Sequence, residues 1–215
     1  MGANVAGGDT TKNAKIVISI TVAGDIARGR AIRRDGARPG DLVYVSGKLG
    51  KAQLGLNLLR RPANRKLRTP RLLSAHLYPK IPFRLGAWLA THKVPSAMID
   101  ISDGLSTDIS RLCEASGVGA RIFEERLPVP EVPAEVSRML GRAKSDPLKL
   151  ALDGGDDYEL LFTVSPKDAR RLRAAPGFRN LACIGEITRE RNIRLVRAGG
   201  KNCPLLAGGW DPFRN

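Results

Sequence analysis

The sequence is poor in aromatic residues, histidine and cysteine, and it contains no long apolar run. Aromatics make up 5% of its 215 residues, too few for the stacking platforms of a single-strand nucleic-acid binder. Only His76 and His92 are present, which excludes a multi-histidine metal site and a HExxH protease. Cys113, Cys183 and Cys203 are odd in number and far apart, with no CxxC pair and no zinc-chelating spacing. Reduced thiols in a cytoplasmic protein are expected, with Cys113 and Cys183 in the core. No run reaches the roughly 18 apolar residues of a membrane span, and no basic-then-apolar leader follows Met1. Neither a membrane partner nor secretion is therefore expected.

Known phosphate loops are missing as well. Gly40 to Gly47-Lys48 has the wrong spacing for a Walker A loop, and Leu49 stands where Ser or Thr is required. There is no GxSxG elbow, protein-kinase set or GxGxxG fingerprint. Any phosphate chemistry must rest on metal-bridging carboxylates and helix N-termini.

What is abundant is positive charge. Lys and Arg number 36 against 21 Asp and Glu, a formal net charge of +15. Much of it lies in a basic stretch over 60–71, to which no role is assigned. Such a surface can bind nucleic acid, attract an anionic small substrate or simply be solvated. No RNP, KH, helix-turn-helix or zinc-finger pattern accompanies it, so nucleic acid is not an expected partner.

Strands are expected over 15–23, 42–47, 97–101, 119–124, 158–164, 181–187 and 192–197, from β-branched or apolar runs bounded by turn signals. Helices are expected over 48–59, 82–92, from about 102 through Cys113, 134–142 and 166–175, with a loop over 60–71 and a Pro-rich linker over 128–133. The mixture, with a strand-rich ending, reads as α/β to α+β. The opening residues run at once into a Gly-Gly-Asp turn, so we expect the chain to begin inside a larger unit.

Four constellations could carry chemistry. In Gly7-Gly8-Asp9-Thr10-Thr11 the glycines let backbone approach a phosphate, and Asp9 suits Mg²⁺; taken alone it is an ordinary turn. In Asp100-Ile101-Ser102-Asp103-Gly104 two carboxylates flank a strand-to-helix turn. Ser102 or Asp103 could be only a helix cap, but a cap does not account for Asp100, and shared metal ligation does. Gly154-Gly155-Asp156-Asp157-Tyr158-Glu159 sets three acids beside an apolar strand; they could equally be loop and surface residues. Gly208-Gly209-Trp210-Asp211-Pro212-Phe213 could stack on a flat ring or seal a core.

In combination, order and spacing, these motifs resemble the thiamine-monophosphate kinases of the aminoimidazole-ribotide-synthetase-like superfamily. Further matches are Gly29-Arg30-Ala31, Arg34-Asp35-Gly36-Ala37, Arg38-Pro39-Gly40-Asp41, Tyr44-Val45-Ser46-Gly47 and Ala115-Ser116-Gly117-Val118-Gly119-Ala120. The resemblance covers nearly the whole chain. It implies a mixed sheet with flanking helices, and Mg²⁺-assisted in-line transfer of the ATP γ-phosphate to thiamine monophosphate, giving thiamine diphosphate. By position it implies ATP contacts at Gly8, Asp9, Arg34 and Ser102. It implies Mg²⁺ ligands at Asp9, Asp100 and Asp103, and substrate contacts at Asp156 and Trp210. No general base is implied, because the acceptor is already an oxyanion.

The resemblance also implies that residues 1–35 are the last strand of an N-terminal ATP-binding domain and 36–215 a C-terminal α/β domain. The family's remaining N-terminal part, which supplies a Gly-Asp-Asp metal cluster and most of a homodimer interface, has no counterpart here. The family usually carries Glu where this chain has Asp156, one methylene shorter. Three alternatives are an inactive truncated paralogue serving as a basic nucleic-acid- or partner-binding module, a folded fragment without activity, and another ATP-using member of the superfamily.

Overall fold

A computed structural model describes residues 4–60, 70–175, 178, 181–211 and 213. Seven strands form one mixed sheet in the order β2-β4-β1-β5-β3-β6-β7. They are β1 (Leu42–Val45), β2 (Pro95–Ile101), β3 (Gly119–Phe123), β4 (Glu159–Val164), β5 (Ala182–Thr188), β6 (Ile193–Val196) and β7 (Asn202–Pro204). Only β3 and β6 are parallel; the remaining neighbours run antiparallel. The expected fold class is the observed one.

The period-2 alternation of the strands sends side chains to two opposite faces. Val43, Val45 and Leu161 point to one face, where α4 (Leu105–Ser116) buries Leu105, Ile109, Leu112 and Cys113. Tyr44, Phe162 and Val164 point to the other, against α3 (Phe83–His92) and α8 (Pro166–Ala174) through Leu85, Leu89, Ala169 and Leu172. A third cluster joins α1 (Lys51–Leu59), α5 (Ala134–Leu140) and α7 (Pro147–Asp153) through Leu54, Leu58, Val136, Leu140 and Leu150. Cys113 is core as expected, whereas Cys183 is half-buried; both are free thiols.

One expected strand does not form. Residues 15–23 adopt no ladder, and Ile16 and Ile20 are 94% and 81% exposed. The sequence has the alternation of a strand, but a strand is completed by hydrogen bonds to a neighbour, and none of the described residues lies alongside. From Arg30 onward the chain is tethered: Arg30 Nη1 donates to the Thr91 carbonyl at 3.0 Å, and Met98 N–H to the Arg33 carbonyl at 3.0 Å.

Other differences lie at element ends. Helix α1 starts at Lys51 rather than 48, because Gly50 takes a left-handed φ of 79° at its N-cap. The basic stretch was expected as a loop through residue 71, yet α2 (Pro70–Leu77) already contains its last two residues. Residues 61–69 of that stretch lie outside the described residues. The expected helix over 134–142 ends at Leu140, where Gly141 turns the chain. A one-turn helix, α6 (Arg142–Ser145), follows, and then α7, which was not expected although its signal is present. Pro147 occupies the first turn, and Asp146 Oδ1 accepts from Leu148 N at 3.0 Å and Lys149 N at 3.4 Å.

Candidate active site

Strand β2 lies at the sheet edge and delivers Asp100 to its carboxyl end, paired in register with Leu160 of β4. Asp100 is exposed, and its carboxylate makes no ion pair among the described residues. The chain then turns through Ser102 and Asp103 into α4. Neither is a side-chain cap: the N-cap is Gly104, with φ 105°. A Cβ there would fall 2.9 Å from the Asp153 carbonyl carbon, so the turn needs glycine.

The group that holds this turn is Asp108, which sequence reasoning missed. Its buried carboxylate reaches back and accepts from the Asp103 N–H at 3.0 Å. Arg111 Nη1 bridges Asp108 Oδ1 at 3.2 Å and the Asp103 carboxylate. Burial raises the Asp108 carboxyl to about 6, with the neighbouring Asp103 and Asp100 charges acting in the same direction and the Asp103 N–H and Arg111 opposing. The available signal was an acid in the first turn of a helix following Asp103-Gly104, the position a helix N-terminus favours.

The 154–158 segment is laced to this turn by backbone. Asp156 N–H donates to the Ser102 carbonyl at 2.8 Å, and Tyr158 N–H to the Ile101 carbonyl at 2.8 Å. Within it, neighbouring acids diverge. Asp157 is buried and caps α1, accepting from Gly50 N–H and, at 3.1 Å, from Ala52 N–H. Its burial pushes the carboxyl to about 6, against the two N–H groups. Glu159 accepts from Ser46 Oγ, which in turn accepts from Leu160 N–H at 2.8 Å, and burial raises its pKa. Asp156 instead turns outward, with its side chain 46% exposed.

The third motif closes on the same place. Trp210 N–H donates to the Asp103 carbonyl at 2.9 Å, while Gly208 and Gly209 N–H donate to Ser106 Oγ at 3.1 Å and Thr107 Oγ1 at 3.2 Å. A Cβ on Gly209 would stand 1.9 Å from the Asp103 carbonyl oxygen, so that close approach requires glycine. The Trp210 residue stays 62% exposed above the turn.

Asp100, Ser102, Asp103, Asp156 and Trp210 are therefore neighbours. Gly8 and Asp9 are not among them; they are exposed, and Asp9 Oδ1 accepts only a local bond from Thr10 N–H at 2.7 Å. Arg34 is also apart: its carbonyl accepts from Ser116 Oγ at 3.1 Å, at the end of α4 away from Ser102. A 12-residue helix separates the two by about 18 Å. Among the described residues no three His, Cys, Asp or Glu side chains gather tightly enough to hold a metal ion. The pair Asp100 and Asp103 nevertheless offers oxygen donors of the kind a hard divalent cation takes, and both charges act on Tyr158 and Asp108. Beside the site, a cavity of about 410 Å³ is lined by Lys48, Lys51, Arg71 and Lys80 above Asp157 and Glu159. No helix of the described residues is long and apolar enough to cross a membrane.

The turn after β2 and the segment before β4 meet at one end of the mixed sheet and present acids there. Residues 38–197 match the AIR synthase related protein, C-terminal domain, and the chain belongs to that family. Within it, the resemblance is to thiamine-monophosphate kinases. The chain is 35% identical over 198 residues to the thiamine-monophosphate kinase of Salmonella typhimurium (strain LT2), covering 90% of this chain and 58% of that protein. The crystal structure of thiamine-monophosphate kinase from Stenotrophomonas maltophilia K279a superposes with a TM-score of 0.67 at 31% identity, covering 83% of this chain and 56% of that one. The structure described as AaThiL complexed with AMPPCP and TMP superposes with a TM-score of 0.64 at 32% identity, covering 85% and 54%. The chain thus spans under two thirds of the length of these relatives.

Proposed function

We propose that this chain carries the C-terminal share of an ATP- and Mg²⁺-dependent thiamine-monophosphate kinase. The observation that carries the reading is the convergence of three distant motifs, 100–104, 154–158 and 208–210, through backbone hydrogen bonds to Ile101, Ser102 and Asp103. That lacing leaves Asp100, Asp156 and Trp210 facing solvent beside one turn. Proteins similar to it in sequence carry the kinase's name, and one similar in fold was solved with AMPPCP and TMP.

In the reaction a terminal phosphate oxygen of thiamine monophosphate attacks the ATP γ-phosphorus, the bond to the bridging oxygen breaks, and ADP leaves. The acceptor is an oxyanion, so no side chain has to remove a proton. Mg²⁺ bound by Asp100 and Asp103 would neutralise the phosphates and hold them in line. Ser102 would contact ATP, and Asp156 and Trp210 the substrate; Gly8, Asp9 and Arg34, which lie apart from this turn, take their ATP and metal roles from the resemblance alone. Residues 1–35 are assigned to an N-terminal ATP-binding domain by the resemblance, and the exposed apolar side chains of 15–23 support that reading. The assembly would be a cytoplasmic homodimer.

Calorimetry with Mg²⁺–ATP, followed by a phosphoryl-transfer assay on thiamine monophosphate, tests the reading. Mg²⁺–ATP binding in the intact chain, with turnover that is weak unless the family's N-terminal part is supplied, is expected, and both are lost in Asp103→Ala. Absent Mg²⁺–ATP binding combined with salt-sensitive RNA binding would replace it with the basic binding-module alternative.

A further inference from the structure

The Asp156 carboxylate is flanked on both oxygens by side chains to which sequence reasoning assigned no role. Tyr158 Oη donates to Oδ1 at 3.3 Å. On the other side, His76 Nδ1 faces Oδ2 at 3.7 Å. That nitrogen is shielded from solvent and makes no hydrogen bond among the described residues. A buried imidazole nitrogen is ordinarily satisfied, because leaving it bare costs about 1–3 kcal/mol. Among the described residues it faces the Asp156 carboxylate, just beyond hydrogen-bond length.

Two local features produce this meeting. Helix α2, which carries His76, packs closely on α1 at Gly55, where a Cβ would stand 2.7 Å from the Leu72 carbonyl oxygen and 3.2 Å from His76 Cβ. Any larger residue at 55 would push the imidazole away. On the opposite side, Asp156 and Tyr158 hold positive φ of 64° and 51°, a conformation that costs a non-glycine residue about 1 kcal/mol or more. The strain is sustained by the two backbone bonds to Ser102 and Ile101, and it turns the Asp156 side chain outward toward α2. The phenol engages one oxygen and the imidazole stands beside the other, which leaves the remaining lone pairs of the carboxylate open to a ligand.

We propose that His76 is a positioning residue: it closes onto Asp156 and, with Tyr158, aims that carboxylate at the donor-bearing, cationic heteroaromatic portion of the substrate. The inference rests on the functional reading above and assigns His76 no contact with ATP or with the transferred phosphate. Removing it loosens substrate binding and leaves the phosphoryl-transfer step alone.

The test uses the full chain. In His76→Ala the KM for thiamine monophosphate should rise about tenfold, the loss of roughly one hydrogen bond to a charged group. The kcat and the KM for ATP should stay within about twofold, and His76→Gln, which restores a donor, should recover most of the loss. An unchanged KM for thiamine monophosphate, or an equal rise in the KM for ATP, overturns the proposal. A second measurement does not depend on turnover. The chain has two histidines, so their ring resonances are readily told apart, and His92 serves as control. Asp156→Asn should shift the His76 signals and leave those of His92 unmoved; His76 signals that do not respond overturn the pairing. A chain that binds no thiamine monophosphate while its His76 signals still respond to Asp156→Asn overturns the functional reading and leaves the pairing standing.

Discussion

Asp156 and Asp157 are adjacent and chemically identical, yet the fold uses them in opposite ways. Asp157 is buried where two N–H groups at the start of α1 point at it, and it joins the 154–158 loop to the first helix. Asp156 leaves the backbone at positive φ, faces α2 and stays open. The same division separates Asp108, buried beneath the 100–104 turn, from Asp100 on its outer side. One acid of each pair builds the turn and the other is presented by it. Clustered carboxylates can be held close together because a buried partner, charged or protonated, anchors the backbone from below.

The largest expected effect tests the buried half of that contrast. Asp157→Ala strands the Gly50 and Ala52 N–H groups in the interior and should cost about 3 kcal/mol in a urea unfolding titration. Next comes the helix crossing that faces Asp156. Gly55→Ala would normally favour a helix, but here the new Cβ meets the Leu72 carbonyl oxygen at 2.7 Å. A loss of about 1–2 kcal/mol is expected, with His76 displaced from Asp156 in its ring resonances.

An effect of similar size comes from pH. The carboxyls of Asp108 and Asp157 both sit at about 6 in the folded chain, above the ordinary 3.8. The folded chain therefore binds these protons more tightly than the unfolded one. The stabilisation they give is complete below about pH 4 and is lost as pH rises through about 6. Asp108→Asn should flatten that fall by roughly 1–2 kcal/mol across this window, read from unfolding midpoints at stepped pH. The smallest stability effect belongs to the outward acid: Asp156→Asn should move the unfolding midpoint by less than about 0.5 kcal/mol equivalent. A large loss there would erase the distinction between the neighbours.

Much of the architecture was legible in the sequence, and the reasons are local. Strands β1, β2 and β4 announce themselves as β-branched or apolar runs closed by Gly, Pro or Asp, and α4 by its apolar face over Leu105, Ile109 and Leu112. Helix α7 is equally marked by Asp146-Pro147 at its start. The segment 15–23 misled for the opposite reason: its pattern is that of a strand, but pairing is a property of two segments and only one is present among the described residues. Asp100 and Asp103 could be singled out because two acids flank a strand-to-helix turn, whereas Ser102, Asp156 and Trp210 took their roles from the resemblance.

The sequence by itself determined the element types and the alternation that makes a two-faced sheet, because period and turn chemistry act within a few residues. It also marked the glycine-bounded acids, and motif order was enough to indicate the family. Only the tertiary structure decided which acid of each pair is buried, since Asp156 and Asp157 differ in nothing but the side of the backbone they leave. It alone brought His76 to Asp156, across 80 positions of sequence, through a helix contact that Gly55 permits. Burial and convergence depend on how distant segments pack, and residue spacing along the chain carries no record of that distance.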